Sequence, residues 1–175
     1  MRFMLKKLFI SAFILLLFSL PSLAEIKIFF SPDGGIREEI IKRIDISQEY
    51  IDISMYSFTS ESIAEALVRA KERGTRVRIL LDKLQAAGRH SQYQYLLDNG
   101  IRVIIDVHAG IMHNKIAIID GRVLLTGSFN WTKSAEEKNE ENLLLFIDEE
   151  EIIRIYQMRL NYLWGFNSSF WEGSD

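Results

Sequence analysis

The residues of this chain whose types and spacing could do chemistry lie in one short stretch. It reads Met112-His113-Asn114-Lys115-Ile116-Ala117-Ile118-Ile119-Asp120-Gly121 and, after a return, Thr126-Gly127-Ser128-Phe129-Asn130-Trp131-Thr132. Positions two apart on a strand share a face, so His113 and Lys115 would stand side by side at the entry of an otherwise apolar strand. An imidazole beside an ammonium suits a phosphate: the cation holds a non-bridging oxygen while the ring attacks phosphorus or moves a proton. Ser128 and Asn130, again two apart, would add two hydrogen-bond donors, and Gly127 would let the backbone come close. A His-x-Lys pair alone is more often a solvated surface pair. Gly-Ser-x-Asn at the return of the strand shifts the balance toward a site without excluding the other reading.

These residues need elements to position them. Asp120-Gly121 between two apolar runs is a hairpin signal, which predicts strands over Lys115–Ile119 and Val123–Thr126 and returns Gly127, Ser128 and Asn130 to His113. Upstream, apolar strands at Ile26–Phe30, Tyr50–Tyr56, Val77–Leu81 and Ile101–Ile105 alternate with helical spacing. The helices are Gly35–Ser47, a segment capped by Thr59 or Ser60 and ended at Gly74, and Ser91–Asn99. Downstream come a loop or short helix over Ser134–Asn139, a strand at Leu143–Ile147 and a closing helix from Glu149 to about Trp164; the tail after it carries no clear signal. This order predicts an α/β fold, a mixed, largely parallel β-sheet flanked by helices on both faces.

The pattern His113-x-Lys115-x4-Asp120, then Gly127-Ser128-x-Asn130, resembles the signature of the phospholipase D superfamily, with the spacing matched at each position. Asn139-Glu140-Glu141-Asn142 resembles the stretch in which that family places a glutamate, and Glu141 is the better match. Ser54–Thr59, Ile63–Leu67, Arg73-Gly74 and Val77–Asp82 resemble the first half of the same domain, so the likeness runs from about Ile26 to Leu163. A small chain with one signature is similar to the single-signature bacterial endonuclease branch, which includes a plasmid-encoded nonspecific nuclease.

The resemblance implies roles residue by residue. His113 would attack phosphorus to give a phosphohistidine, and the same histidine of a second copy would protonate the leaving oxygen and later activate water. Lys115 and Asn130 would hold the non-bridging oxygens, with Ser128 in support, and Glu141 would accept from a histidine Nδ1. Because the chain has no internal repeat, the implied site is shared across a homodimer. It requires no metal and no cofactor, the lysine, asparagine and two histidines supplying the charge and the proton transfer. Asp120 closes the family motif, yet it lies five residues beyond Lys115 and faces away from it, so it reads as a structural residue, as does Gly127.

Other residues are weaker candidates. His90 and His108 read as surface histidines, His108 lying with Gly110 near the mouth of the site. Trp131, Trp164 and Trp171 read as core or tail aromatics, although Trp131, next to Asn130, could instead stack on a base. Tyr56 and Phe58 end a strand aimed at the site, with core packing expected for at least one of them.

With 175 residues, 48% of them hydrophobic and 26% charged, the chain fits one folded domain. Its first residues are basic, Leu8–Leu20 is apolar, and Pro21-Ser22-Leu23-Ala24 precedes the charged Glu25. That order reads as a signal peptide over residues 1–24, followed by the domain over 25–175 in the periplasm or outside the cell. The apolar run is shorter than the roughly 20 residues of a spanning helix. The second reading is an uncleaved N-terminal segment that holds the domain at a membrane. The absence of cysteine excludes disulfides, thiol nucleophiles and zinc–thiolate sites. Loss of the leader removes Arg2, Lys6 and Lys7 and no acid, moving the formal net charge from −3 to −6, which counts against a globally basic nucleic-acid binder. Arg69, Lys71, Arg73, Arg76 and Arg78 offer either a local basic face or, more simply, cations at a helix end.

The expected function is a metal-independent phosphodiesterase, an endonuclease of low sequence specificity on DNA and secondarily RNA, because an open groove reads backbone phosphates and few base edges. The runner-up is a phospholipase D acting on membrane phosphodiesters with the same residues.

Overall fold

The computed structural model describes residues 24–172; the expected signal peptide falls outside the described residues but for Ala24. In chain order the elements are β1 (Glu25–Ser31), α1 (Ile36–Asp45), β2 (Tyr50–Met55), α2 (Glu61–Glu72), β3 (Arg76–Leu81), α3 (Lys83–Ala86), α4 (Tyr93–Asp98), β4 (Arg102–Ile105), β5 (Lys115–Ile119), β6 (Val123–Gly127), α5 (Lys133–Glu137), β7 (Glu141–Ile147) and α6 (Glu150–Glu172). The strands form a seven-stranded sheet in the order β1-β7-β6-β5-β2-β3-β4.

The mixed sheet with helices on both faces matches the expectation, but its parallel share is smaller. Only β2–β3 and β3–β4 pair parallel, while β1–β7, β7–β6, β6–β5 and β5–β2 are antiparallel. Parallel neighbours need a crossover between them, and only α2 and the segment holding α3 and α4 supply one between adjacent strands. β1 is carried to the far edge, where its partner is β7, so strand–helix alternation at the start of the chain does not make β1 and β2 neighbours.

On one face, α1 sends Ile36, Ile40 and Ile44, all fully buried, into the same core as Ile63, Ala64, Ala66, Leu67 and Ala70 of α2. The small alanines let the two helices approach. Each buried Ile or Leu contributes on the order of 1.5–3 kcal/mol. On the other face α6 lies across β2, β4, β5 and β6, burying Ile153 and Leu160 on Ile116, Ile118 and Leu124, and Leu163 and Trp164 on Leu80 and Ile104. Beneath α6, Asp52, 2% exposed, takes a bidentate ion pair from Arg78 (2.7 Å twice) and a hydrogen bond from Gln157 Nε2 (2.8 Å).

α6 runs through Gly165 to Glu172, past the expected end near Trp164. Asn167, fully buried, explains the extension: its Nδ2 donates to Leu163 O and its Oδ1 accepts from Val107 N, each at 2.8 Å, which ties the last turns to the chain after β4. Among the described residues no helix is long and apolar enough to cross a membrane.

The hairpin forms as expected, with Asp120 and Gly121 at φ 54° and 64°. Asp120 has a second task. Its carboxylate accepts from the backbone N–H of Gln48 (2.9 Å), Glu49 (2.8 Å) and Tyr50 (2.9 Å), so it pins the start of β2 to the turn that follows β5. Asp120→Ala is expected to destabilise the chain by about 1–3 kcal/mol in urea unfolding, with Asp120→Asn losing less, since one oxygen still accepts and Asn tolerates the left-handed backbone. Equal stability of Asp120→Ala and wild type would show that the three contacts hold nothing.

Candidate active site

Met55 pairs with Lys115 across β2 and β5, and Tyr56 N donates to Asn114 O at 2.8 Å, so the segment carrying His113 lies against the end of β2. The approach to it is fixed from below. Asp82, 2% exposed, caps α3 through Leu84 N and Gln85 N, and its other oxygen accepts from Met112 N at 3.2 Å. Gln85 then donates to Tyr56 Oη at 3.2 Å. The Tyr56 ring lies 4.5 Å from the His113 ring and 4.7 Å from Lys115 Nζ. Tyr56 is thus a wall shared by the imidazole and the ammonium. Phe58 goes into the core against Trp131, edge to face at 5.1 Å.

Lys115 is only 7% exposed, and its Nζ donates to His113 O at 3.0 Å. Burial pushes its pKa down and the nearby Glu141 carboxylate pushes it back up, with burial the larger effect. A desolvated ammonium interacts strongly with any anion that reaches it, because little water competes.

His113, Lys115, Gly127, Ser128, Asn130, Glu141 and Asn142 line one open cleft of about 520 Å³. All the sequence-identified positions except Asp120 are therefore brought together, and Asp120 sits at the opposite end of β5. The corner after β6 is built by a residue that sequence reasoning did not single out. Asn142 N donates to Ser128 Oγ at 3.0 Å, while its backbone and side-chain oxygens both accept from Ser128 N at 3.2 Å. Phe129 N donates to the same backbone oxygen. A Cβ on Gly127, where φ is 144°, would stand 2.4 Å from Asn142 O, so the close approach that Gly127 permits is to Asn142. Ser128 Oγ is correspondingly engaged with the backbone of β7.

Asn130 Oδ1 is buried without a hydrogen-bond partner, and no other side-chain oxygen or nitrogen is in that state among the described residues outside exposed side chains. The unmatched atom is an acceptor, which a phosphate oxygen cannot satisfy; an anion would be met by Nδ2 of the same amide. Glu141 does not bond to His113 within the chain; its carboxylate accepts from Asn139 Nδ2 at 3.0 Å. The expected carboxylate–imidazole contact is not made within the chain: His113 lies just before β5 and Glu141 opens β7, with the cleft between them.

The remaining candidates separate plainly. Trp131 is 2% exposed in the core and cannot stack on a base; its carbonyl accepts from Thr59 N and Ser60 N. Trp164 is buried between Arg78 and Arg102, whose guanidinium carbons lie 5.1 and 5.3 Å from its ring. The side chain of Trp171 lies outside those described. His90 is exposed, and His108 is paired with Asp106. His108 also lines a cavity of about 310 Å³ that His113 shares, and a Cβ at Gly110 would come within 2.9 Å of its Nε2.

The basic stretch is largely spent on the scaffold: Arg69 pairs with Asp45, Lys71 donates to Asn99 O, Arg73 to Ile44 O, Arg76 covers the Tyr50 ring and Arg78 holds Asp52. Among the described residues no group of three or more His, Asp or Glu side chains converges as metal ligands would.

Residues 40–164 match the family model described as cardiolipin synthase, PLD-like domain. A phospholipase D of Rickettsia conorii is 37% identical over 129 residues, covering 74% of this chain and 64% of that protein. A mitochondrial cardiolipin hydrolase of Xenopus tropicalis is 37% identical over 118 residues, covering 67% of this chain and 56% of the relative. The chain thus spans less than two thirds of the length of either. Among solved structures, the phospholipase D family member Nuc from Salmonella typhimurium superposes with a TM-score of 0.77 at 33% identity, over 82% of this chain and 95% of Nuc. NucT from Helicobacter pylori gives 0.73 at 28% identity, over 81% and 96%. A cleft that gathers the signature residues, a shared fold and a matched family model lead to one statement: the chain belongs to the phospholipase D-like superfamily of phosphodiesterases.

Proposed function

We propose that this chain is a metal-independent endonuclease of low sequence specificity, acting on DNA and secondarily on RNA as a homodimer outside the cytoplasm. The observation that carries the phosphodiesterase chemistry is the cleft itself: a desolvated ammonium, an exposed imidazole and an asparagine whose Nδ2 can donate line one open space. The choice of nucleic acid leans on Nuc and NucT, which the chain matches over nearly their whole lengths. A second reading, phosphodiester hydrolysis in membrane lipids, is favoured by the relatives named phospholipase D and cardiolipin hydrolase, matched over a smaller share of their lengths.

In the proposed reaction an imidazole nitrogen of His113 attacks phosphorus, forming a P–N bond as the P–O bond to the leaving group breaks. A second imidazolium, from the other copy, gives its proton to the leaving oxygen. That imidazole then takes a proton from water, which attacks phosphorus and releases His113. Lys115 and the Asn130 amide, as donors, would hold the non-bridging oxygens, and the Ser128 corner would keep Asn130 in place. Glu141 would orient the histidine presented to it across the dimer. One imidazole per cleft cannot serve as nucleophile and as acid for the same bond, which is why a second copy enters the reading.

Incubation with plasmid and single-stranded DNA in excess EDTA tests this directly. Wild type is expected to cleave, and His113→Ala to be slower by on the order of a thousandfold or more. Cleavage by neither, with release of headgroup from phosphatidyl vesicles by wild type, would move the assignment to the lipid reading.

Lys115 gives a second test. Because its folded pKa lies below the ordinary 10.5, the folded chain binds this proton less tightly than the unfolded one, and the cost of the dehydrated charge is present at neutral pH. It is relieved as pH rises through the lowered value toward 10.5. Lys115→Met is therefore expected to melt no lower than wild type at pH 7 while losing about a hundredfold or more in cleavage. In wild type the alkaline fall in rate should come below 10.5. A variant that melts well below wild type would show that the Tyr56 and His113 contacts outweigh desolvation.

A further inference from the structure

His113 borders two spaces. One is the cleft that gathers the signature residues; the other is the cavity of about 310 Å³ that α6 helps to line, and of the signature only His113 reaches it. The chain leading into this cavity is pinned twice, by Asp106 N on Leu81 O and by Val107 N on Asn167 Oδ1, each at 2.8 Å. Asp106, 2% exposed, then pairs with His108 Nδ1. A carboxylate so deeply buried needs such a partner, and the pairing fixes how the ring is turned. With Nδ1 taken, Nε2 is the ring atom left for a ligand, and Gly110 has no side chain to cover it, since a Cβ there would stand 2.9 Å away. From α6 comes Arg159, exposed and in no ion pair among the described residues, its guanidinium carbon 5.2 Å from the centre of the Tyr162 ring. In a chain of net charge −3, three basic side chains, Arg159, His108 and His113, thus border a cavity whose carboxylate is already paired. Such a space selects an anion.

We propose that this cavity holds the phosphate next to the scissile one, on the strand that stays bonded to phosphorus after His113 attacks. The inference rests on the nuclease reading above and uses what a polynucleotide offers and a simple diester does not, a second phosphate one nucleotide away. In-line attack expels the leaving oxygen on the side of phosphorus away from His113, so the retained strand is the one that passes the ring and enters its cavity. There the Arg159 fork can take two phosphate oxygens, and the protonated His108 ring can donate from Nε2. In the two-copy site the equivalent cavity of the second copy would take the phosphate beyond the leaving oxygen. The whole site then spans three consecutive phosphates, and Arg159 and His108 give it a preference for length that the signature residues cannot supply.

Steady-state cleavage of a thymidine dinucleotide, with its single phosphate, and of a thymidine tetranucleotide, whose central phosphate has a neighbour on each side, tests the assignment. Wild type is expected to favour the tetranucleotide in kcat/KM by about a hundredfold, roughly tenfold for each flanking contact. Arg159→Ala, at an exposed position, and His108→Gln, which keeps a donor for Asp106 without the ring, are each expected to cut that preference about tenfold, chiefly through KM. A merely structural loss would slow both substrates alike. A tetranucleotide preference that survives both substitutions would overturn the subsite, as would a wild type without any preference; either result leaves the nuclease reading standing. A wild type that cleaves neither oligonucleotide nor plasmid but hydrolyses cardiolipin vesicles would overturn that reading and this inference with it. Arg159→Ala losing more rate on cardiolipin than on phosphatidylglycerol vesicles would then give the cavity to the second phosphate of a lipid.

Discussion

The reciprocal hydrogen bonds between Ser128 and Asn142 hold the corner from which the rest of the cleft is measured. They join the end of β6 to the start of β7, and they form only because position 127 has no side chain to keep the two strands apart. From this corner the chain turns inward, so that Phe129 and Trp131 enter the core while Asn130 between them faces the cleft. The opposite wall depends on Asp82, which fixes both the cap of α3 and the backbone of Met112. Three polar side chains, Ser128, Asn142 and Asp82, therefore set the separation between the imidazole and the amide.

Charge is distributed in keeping with that division. Most cations of the Arg69–Arg78 stretch are tied to carboxylates, carbonyls or rings of the scaffold, and Asp52 with Arg78 secures α6 to the sheet. Lys115 is the exception that matters, a buried ammonium with a backbone carbonyl and a tyrosine ring as neighbours. An acidic chain can still attract a phosphate here, because a cation shielded from water acts at short range with little regard to net charge.

How much of this could be read from the sequence depends on the span of each interaction. The hairpin at Asp120-Gly121, the apolar faces of α1 and α2, and the shared face of His113 and Lys115 follow from neighbours in the chain, and all were legible. The excess of antiparallel pairing was not, since β1 meets β7 from the far end of the sequence. Nor was the length of α6, because the residue that carries it past Gly165 answers to Val107, sixty positions away. Asn142 was passed over for a similar reason: an asparagine opening an apolar strand gives no sign that a serine fourteen residues earlier needs its oxygens. The core position of Trp131 is set by Phe58, which packs edge to face on it from far earlier in the chain, so the residues around Asn130 do not reveal it.

Asp120 stands within the signature by which the family is recognised, yet its carboxylate serves three amides at the far end of β5. The signature is thus a composite of two kinds of residue, one lining the cleft and one holding the scaffold. A descendant that gave up catalysis but still had to fold would be free to lose His113, Lys115 and Asn130, while Asp120, Gly127 and Ser128 would be retained, together with Asn142 outside the motif. Such a remnant would still resemble its ancestors at half the motif, and the half that survives would be silent about chemistry.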